Sequence, residues 1–411
     1  MQKIIIKNLG PIQEAEIILK PFVVIIGKSG SGKSIILRTI SLLKWLCKHG
    51  WIESFHEQAL FKTISDEELV EYLKESMLDT YIHKNTKIQL IEDDVPIIEI
   101  KNKNNAPTIE TSAYPTKNKK LIGKIIFIND IRNFLPELFT LPQQRKIKLS
   151  YHTDDMIENF IESVENSNNF QLNTMKNITF KSEIKVGFSK YYLEHNGIKI
   201  PFEQSSSGEK STSILEIICN YFAYSYNIKK TSIKKIAIKN ALDKVIMSKN
   251  ALDKQYSNIE KVVLEQIELL DFIFSKKYQL SLDIFIEEPE SNLFPINQKN
   301  MAYYLSSLRN ATNNPNIMFS THSPYILTAL NNILYASIIK AKLRNDGQNN
   351  IYEIINKGNI FNHKDFIAYK LENGKSYSII DKKTMLIDAE YIDTASSEIM
   401  DDFYKIAELD K

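Results

Sequence analysis

"PFVVIIGKSGSGKSIILRTI", Pro21 to Ile40, decides how the rest of the chain is read. Its first half is a continuous apolar run, the pattern of a strand buried on both faces. Its second half opens a helix. The apolar residues Ile36, Leu37, Ile40, Leu43 and Leu46 recur there at helical spacing, and Gly50 closes it. Between the two, "GKSGSGKS" fits G-x-x-x-x-G-K-[ST], and a strand before it with a helix after it marks a phosphate-binding loop. The loop is Gly27, Lys28, Ser29, Gly30, Ser31, Gly32, Lys33 and Ser34. Its glycines let the backbone curl until the N–H groups face phosphates. The helix N-terminus adds partial positive charge at the same point. Lys33 then reaches the β- and γ-phosphates of a bound triphosphate such as ATP, and the Ser34 hydroxyl holds Mg²⁺.

Two further strands end in chemistry. "LSLDIFIEEPESNLFP", 280–295, delivers Glu287 and Glu288 to the carboxyl end of a buried strand, where ligands bind in such sheets. One acid there supports Mg²⁺ through its waters, and the next polarises the attacking water. This makes Glu287 the metal-side acid and Glu288 the general base, against the plainer reading of a solvated acidic turn. "PNIMFSTHSPYIL", 315–327, ends in Thr-His-Ser-Pro, placing His322 as a neutral donor to the γ-phosphate or as a structural histidine. The stretch "EQSSSGEKSTSILEII", 203–218, is either a well-capped helix start or half of an active site.

The remaining chain reads as alternating strands and helices. Residues 2–26 form strands. "DEELVEYLKESML" is helical, "TKIQLIE", "VPIIEI" and "LIGKIIFIND" are strands, and 101–120 is a polar loop. Hairpins turn at Asn196-Gly197 and Asn373-Gly374. The fold class is α/β, with a mostly parallel core sheet, an antiparallel N-terminal part and a helical lobe with an insertion. The expected divisions are 1–130, a lobe with the phosphate loop; 131–280, a helical lobe with the serine–glycine stretch; 281–330, the core with acids and histidine; and 331–411, a C-terminal extension for dimer support or effector docking.

Bulk properties point to no partner class. The 411 residues are 43% hydrophobic and 25% charged with net charge +2. Cys47 and Cys219 sit in apolar stretches outside any metal spacing and read as buried thiols. The N-terminus lacks the pattern of a signal peptide, and no apolar run reaches membrane length. The expectation is a soluble, cytoplasmic protein that uses no membrane.

"IKNLGPI", "GKSGSGKS", "SSGE", "EEPESNLFP" and "STHSPYIL", in this order over residues 4–327, resemble the ABC-type ATPase head of the RecF- and SMC-related branch. Within it they are similar to small prokaryotic ATPases of anti-phage defence operons. The resemblance implies a homodimer, or a higher oligomer, that sandwiches two ATP molecules. Ser206, Gly208 and Glu209 then match the signature motif that contacts nucleotide on the other subunit. Glu287 matches the Mg²⁺-associated acid, Glu288 the base and His322 the switch histidine. It further implies an ATPase that acts as sensor or scaffold for a separate effector, a nuclease or toxin. The alternative is a DNA-binding ATPase of repair or chromosome maintenance. The sequence departs from the pattern at Ser205, where leucine is common, at Glu287, where aspartate is common, and at Phe294, where histidine is common. No glutamine loop matches; Asn129 is the candidate, and Arg132 fits an "IPAER" pattern of related members.

Three features fall outside these motifs. The lysine-rich stretch 229–254, with Lys229, Lys230, Lys234 and Lys235, is a solvated helix face or a contact for DNA phosphates. "KNALDK" recurs after ten residues, a step that changes helix face, so it is no packing repeat. "LIDAEYID" in the tail offers Asp388, Glu390 and Asp393, without the Glu-rich strand pattern of a built-in nuclease.

Overall fold

The computed structural model describes residues 2–57, 64–111, 120–139, 149–167, 169–185, 188–231, 278–343, 345–388 and 400. The N-terminal part comprises β1 (Gln2–Leu9), β2 (Ile12–Ile18), β3 (Phe22–Gly27), α1 (Lys33–Glu57), α2 (Asp66–Glu75), β4 (Ile82–Glu92), β5 (Val95–Lys103), β6 (Ala106–Thr111) and β7 (Lys120–Ile128). A middle part follows: α3 (Leu135–Leu138), α4 (Tyr151–Glu165), β8 (Asn169–Gln171), β9 (Ile178–Lys185), β10 (Phe188–His195), β11 (Ile198–Pro201) and α5 (Ser207–Asn220). The rest is β12 (Tyr278–Glu287), α6 (Pro295–Leu308), β13 (Asn316–Thr321), α7 (Pro324–Lys342), α8 (Asn345–Ile354), β14 (Phe366–Glu372) and β15 (Lys375–Ser378).

One 11-stranded sheet runs β6-β5-β4-β1-β2-β15-β14-β3-β13-β12-β7. From β14 to β7 its neighbours are parallel, and from β6 to β2 they are antiparallel. The parallel core and the antiparallel part are therefore one continuous sheet. Side-chain alternation explains its double burial. Phe22, Val24, Ile284, Ile286, Ile317 and Phe319 enter one core with α5, α6 and α7. Val23, Ile25, Phe285 and Met318 enter the other, with α1.

Two readings of the sequence change. Residues 101–111 are not loop: they complete β5 and form β6, turning at Asn104 and Asn105 with φ of 52° and 64°. Two consecutive positive φ values make the hairpin turn whose twist matches the strands, and asparagine tolerates them. Residues 112–119 lie outside the described residues. Among the described residues of the middle lobe, β8–β11 add a four-stranded antiparallel sheet to the helices.

Both expected Asn-Gly hairpins are present, β10–β11 and β14–β15. The second sits where the sequence placed an extension. β14 pairs with β3 from Phe366 opposite Phe22 to Leu371 opposite Gly27, so this C-terminal segment is a central strand of the core. A Cβ on Gly27 would lie 2.8 Å from the Leu371 carbonyl oxygen, so only glycine allows β14 this close to the phosphate loop. Cys219 is buried, whereas Cys47 is only half-buried. Among the described residues, no helix is long and apolar enough to cross a membrane.

Candidate functional site

β3 ends at Gly27, and the loop to α1 turns through Gly30 and Gly32 at φ of 77° and 102°. Side chains rarely adopt either value, and a Cβ on Gly32 would also lie 2.9 Å from Ile12 Cγ1. Lys28, Ser29 and Gly30 are exposed, and Ser31 is half-buried. Lys33 is buried, and its ammonium donates to the carbonyls of Gly27 at 2.7 Å and Lys28 at 3.1 Å. Burial lowers its pKa, while Glu288 and Glu290 oppose that shift.

β12 and β13 end beside this loop. Glu287 is 1% exposed, and burial raises its carboxyl above the usual carboxylate range. Arg38 Nε lies 3.4 Å from Glu287 Oε1, and both Arg38 and Ser34 draw the pKa back down. Ser34 and Arg38 are four residues apart on α1, so they share the helix face toward β12. Neither carboxylate oxygen of Glu287 has a well-formed hydrogen bond, although both are buried. Arg38 offsets the charge from one side, and a buried carboxylate with no hydrogen bonds of its own still favours a further cation. Ser34 and Glu287 thus fit a Mg²⁺ ion held by one carboxylate, one hydroxyl and substrate phosphates.

Glu288 stands at φ 44°, in the left-handed region, and turns out of the strand into a cleft of about 600 Å³. Glu290, His322, Phe134 and Tyr325 also line that cleft. His322 Nδ1 is 3.4 Å from Glu288 Oε1, and Ser291 Oγ is 3.4 Å from Glu288 Oε2. The histidine contact lowers the Glu288 pKa and raises that of His322. Glu290, which the motif reading passed over, is 4% exposed. It accepts from Thr321 Oγ1 at 2.7 Å and His322 N at 2.8 Å, so it fixes the backbone that carries the histidine. Its signal in the sequence was the third acid of "EEPE". Arg38, one turn beyond Ser34, was also missed, because a helical arginine ordinarily reads as surface.

The serine–glycine stretch is built separately. Ser206 is the N-cap of α5: its Oγ accepts from Glu209 N at 3.3 Å, and its own N–H donates to Glu209 Oε2 at 3.0 Å. Glu209 also faces His195 Nε2 at 3.3 Å. Among the described residues, neither Ser206 nor Glu209 bonds to the loop 27–34. Ser205 is buried and donates to the Pro201 carbonyl. Gly208 packs against the turn after the acids, where a Cβ would lie 2.5 Å from Asn292 O. Phe294, beyond that turn, is 73% exposed. Asn129 donates to Thr153 Oγ1 at 3.0 Å, an interior contact rather than a site-facing one. Lys229 and Lys230 are described, whereas Lys234, Lys235, both "KNALDK" copies, Glu390 and Asp393 lie outside the described residues.

Residues 256–327 match the model of the AAA ATPase domain family. The match spans 72 of the 411 residues. That match holds the acid turn and His322, and the phosphate loop precedes it. No curated protein sequence matches the chain. Among solved structures, an SMC head domain from Thermotoga maritima is 11% identical at TM-score 0.36, covering 92% of this chain and 97% of that one. An Smc head domain with an extended coiled coil, bound to the C-terminal domain of ScpA derived from Pyrococcus furiosus, is 10% identical at TM-score 0.40, covering 99% and 100%. The recombination mediator RecF is 12% identical at TM-score 0.32, covering 92% and 97%. Likeness at this level bears on neither activity nor partner, so the candidate site rests on the geometry above.

Proposed function

We propose that this ATPase binds ATP with Mg²⁺ and hydrolyses it within a dimer that closes around two nucleotides. One observation carries the reading. Lys33, Ser34, Glu287, Glu288 and His322 come from three separate segments and meet where β3, β12 and β13 end. Lys33 exchanges its two backbone carbonyls for the β- and γ-phosphates. Mg²⁺, held by Ser34 and Glu287, supplies charge neutralisation at the phosphate oxygens. Glu288 is ionised at neutral pH and accepts the proton of the attacking water. His322 donates to the γ-phosphate, which releases Glu288 from their mutual contact.

The dimer follows from the α5 cap. Ser206 and Glu209 satisfy one another, leaving the first turn's Ser207 and Gly208 N–H groups without intrahelical acceptors. They favour an anion, and a two-fold related copy supplies one as its bound γ-phosphate. Each protomer thereby completes its partner's site, and ATP turnover opens the pair. The resemblance alone carries the finer role: an ATP-gated scaffold for a separate effector in anti-phage defence, with a DNA-binding repair ATPase as the second reading. Mg²⁺-dependent phosphate release from ATP tests the core. It is expected in the intact protein and absent in Lys33→Ala, which also loses ATP binding. Equal ATP affinity in the two proteins contradicts the reading.

A further inference from the structure

The short 3₁₀ turn Asp130–Phe134 links β7 to α3, and Arg132 at its centre points inward. Arg132 is completely buried. A buried guanidinium ordinarily meets a carboxylate. This one donates to backbone carbonyls instead: to Asn129 O at 2.9 Å, Glu287 O at 2.7 Å and Glu288 O at 2.6 Å. Its charge is balanced at longer range by Glu290, Asp130, Glu287 and Glu288.

The two glutamate carbonyls belong to successive residues. In an extended strand, successive carbonyls point to opposite edges, so one side chain cannot collect both. Here they converge because Glu288 takes φ 44°, a conformation strained for a residue with a Cβ that persists only where the surroundings over-determine it. The Arg132 fork is part of that surrounding: one amino group holds Glu287 O and the other Glu288 O, beside Glu288 N donating to Ser320 O and Ser291 N donating to Glu288 O, both at 3.0 Å. A lysine ammonium lacks the planar fork that spans two acceptors.

We propose that Arg132 is a positioning residue that locks the Glu287–Glu288 turn in its left-handed form and so aims the Glu288 carboxylate at His322 and the cleft. The proposal rests on the reading of Glu288 as the base. Without the fork, the turn relaxes toward extended backbone and swings the carboxylate away. A misplacement of about 1 Å costs on the order of 100-fold in rate. Lys33 and the phosphate loop are untouched, so ATP binding is spared.

The test compares Arg132→Met and Arg132→Lys with the intact protein and with Glu288→Gln. It reads ATP affinity with a fluorescent ATP analogue, kcat, and the pH dependence of kcat/KM. Arg132→Lys keeps charge and approximate length, so it carries the test if the methionine variant does not fold. The expected result for the lysine variant is ATP affinity within about threefold, kcat lower by on the order of 100-fold, and an acid limb moved to higher pH as the Glu288–His322 contact is lost. Wild-type kcat and acid limb in Arg132→Lys, beside an inactive Glu288→Gln, overturn the positioning role. A parallel loss of ATP affinity and kcat overturns it as well, because that outcome marks general damage. An active Glu288→Gln overturns instead the reading of the base.

Discussion

Replacing His322 with alanine isolates one contact in the site. Its Nδ1 lies 3.4 Å from Glu288 Oε1, and that contact is the leading cause of the lowered Glu288 pKa. Removing it lets the Glu288 pKa rise, so the base takes up its proton at a higher pH and the acid limb of activity moves up. Opposite unit charges 3.4 Å apart attract by ~1.2 kcal/mol in water. The His322 and Glu288 side chains are 51% and 30% exposed, so solvent screening weakens that attraction. The assay is kcat/KM for Mg-ATP against pH, because that ratio reports ionisations of the free enzyme. At low salt, His322→Ala should move the acid limb to higher pH. At about 1 M salt the gap should narrow, because the intact pair is itself screened. Maximal activity should also fall, since the donor to the γ-phosphate is gone. An acid limb that stays in place, or moves to lower pH, refutes the electrostatic link between His322 and Glu288.

Two stability predictions test the packing around α5. A Cβ at Gly208 would lie 2.5 Å from a backbone oxygen, so Gly208→Ala should cost about 1–3 kcal/mol in thermal unfolding, while the neighbouring exposed Ser207→Ala stays within about 0.5 kcal/mol. The fully buried Glu216 ties α5 to the mixed lobe, its two oxygens accepting from Asn173 N at 2.6 Å and Thr174 N at 2.8 Å. Glu216→Gln turns one acceptor into a donor facing a donor, so it should cost about 1–3 kcal/mol in the same melt, and an unchanged melting temperature would contradict that contact.

Much of this site could be read along the chain because its signals are local. The phosphate loop, the acid pair and His322 each terminate a continuous apolar run, and such runs are strands covered on both faces. What stayed hidden depended on contacts between distant residues. The position of β14 beside β3 is a pairing across more than 300 residues, and "FIAYKLE" carries no mark of its neighbour. Asn104-Asn105 looked like part of a polar loop because its strands are short and half-polar, yet asparagine's tolerance of positive φ makes the hairpin. Arg132 was marked in the sequence only by its fit to a pattern of related members, and the folded chain shows the carbonyls that draw it inside. Glu290 was visible as a letter, but its role needs Thr321 and His322 brought up by the adjacent strand.

The split site is tested most directly by static light scattering on Glu288→Gln with Mg-ATP. The substitution leaves Lys33, Ser34 and Glu287 in place and removes the base, so bound ATP is not consumed. ATP should raise the measured mass to at least twice that of the monomer, and removing nucleotide should restore the monomer mass. ATP bound at saturation with the mass still that of a single chain contradicts an α5 cap that serves the partner's nucleotide.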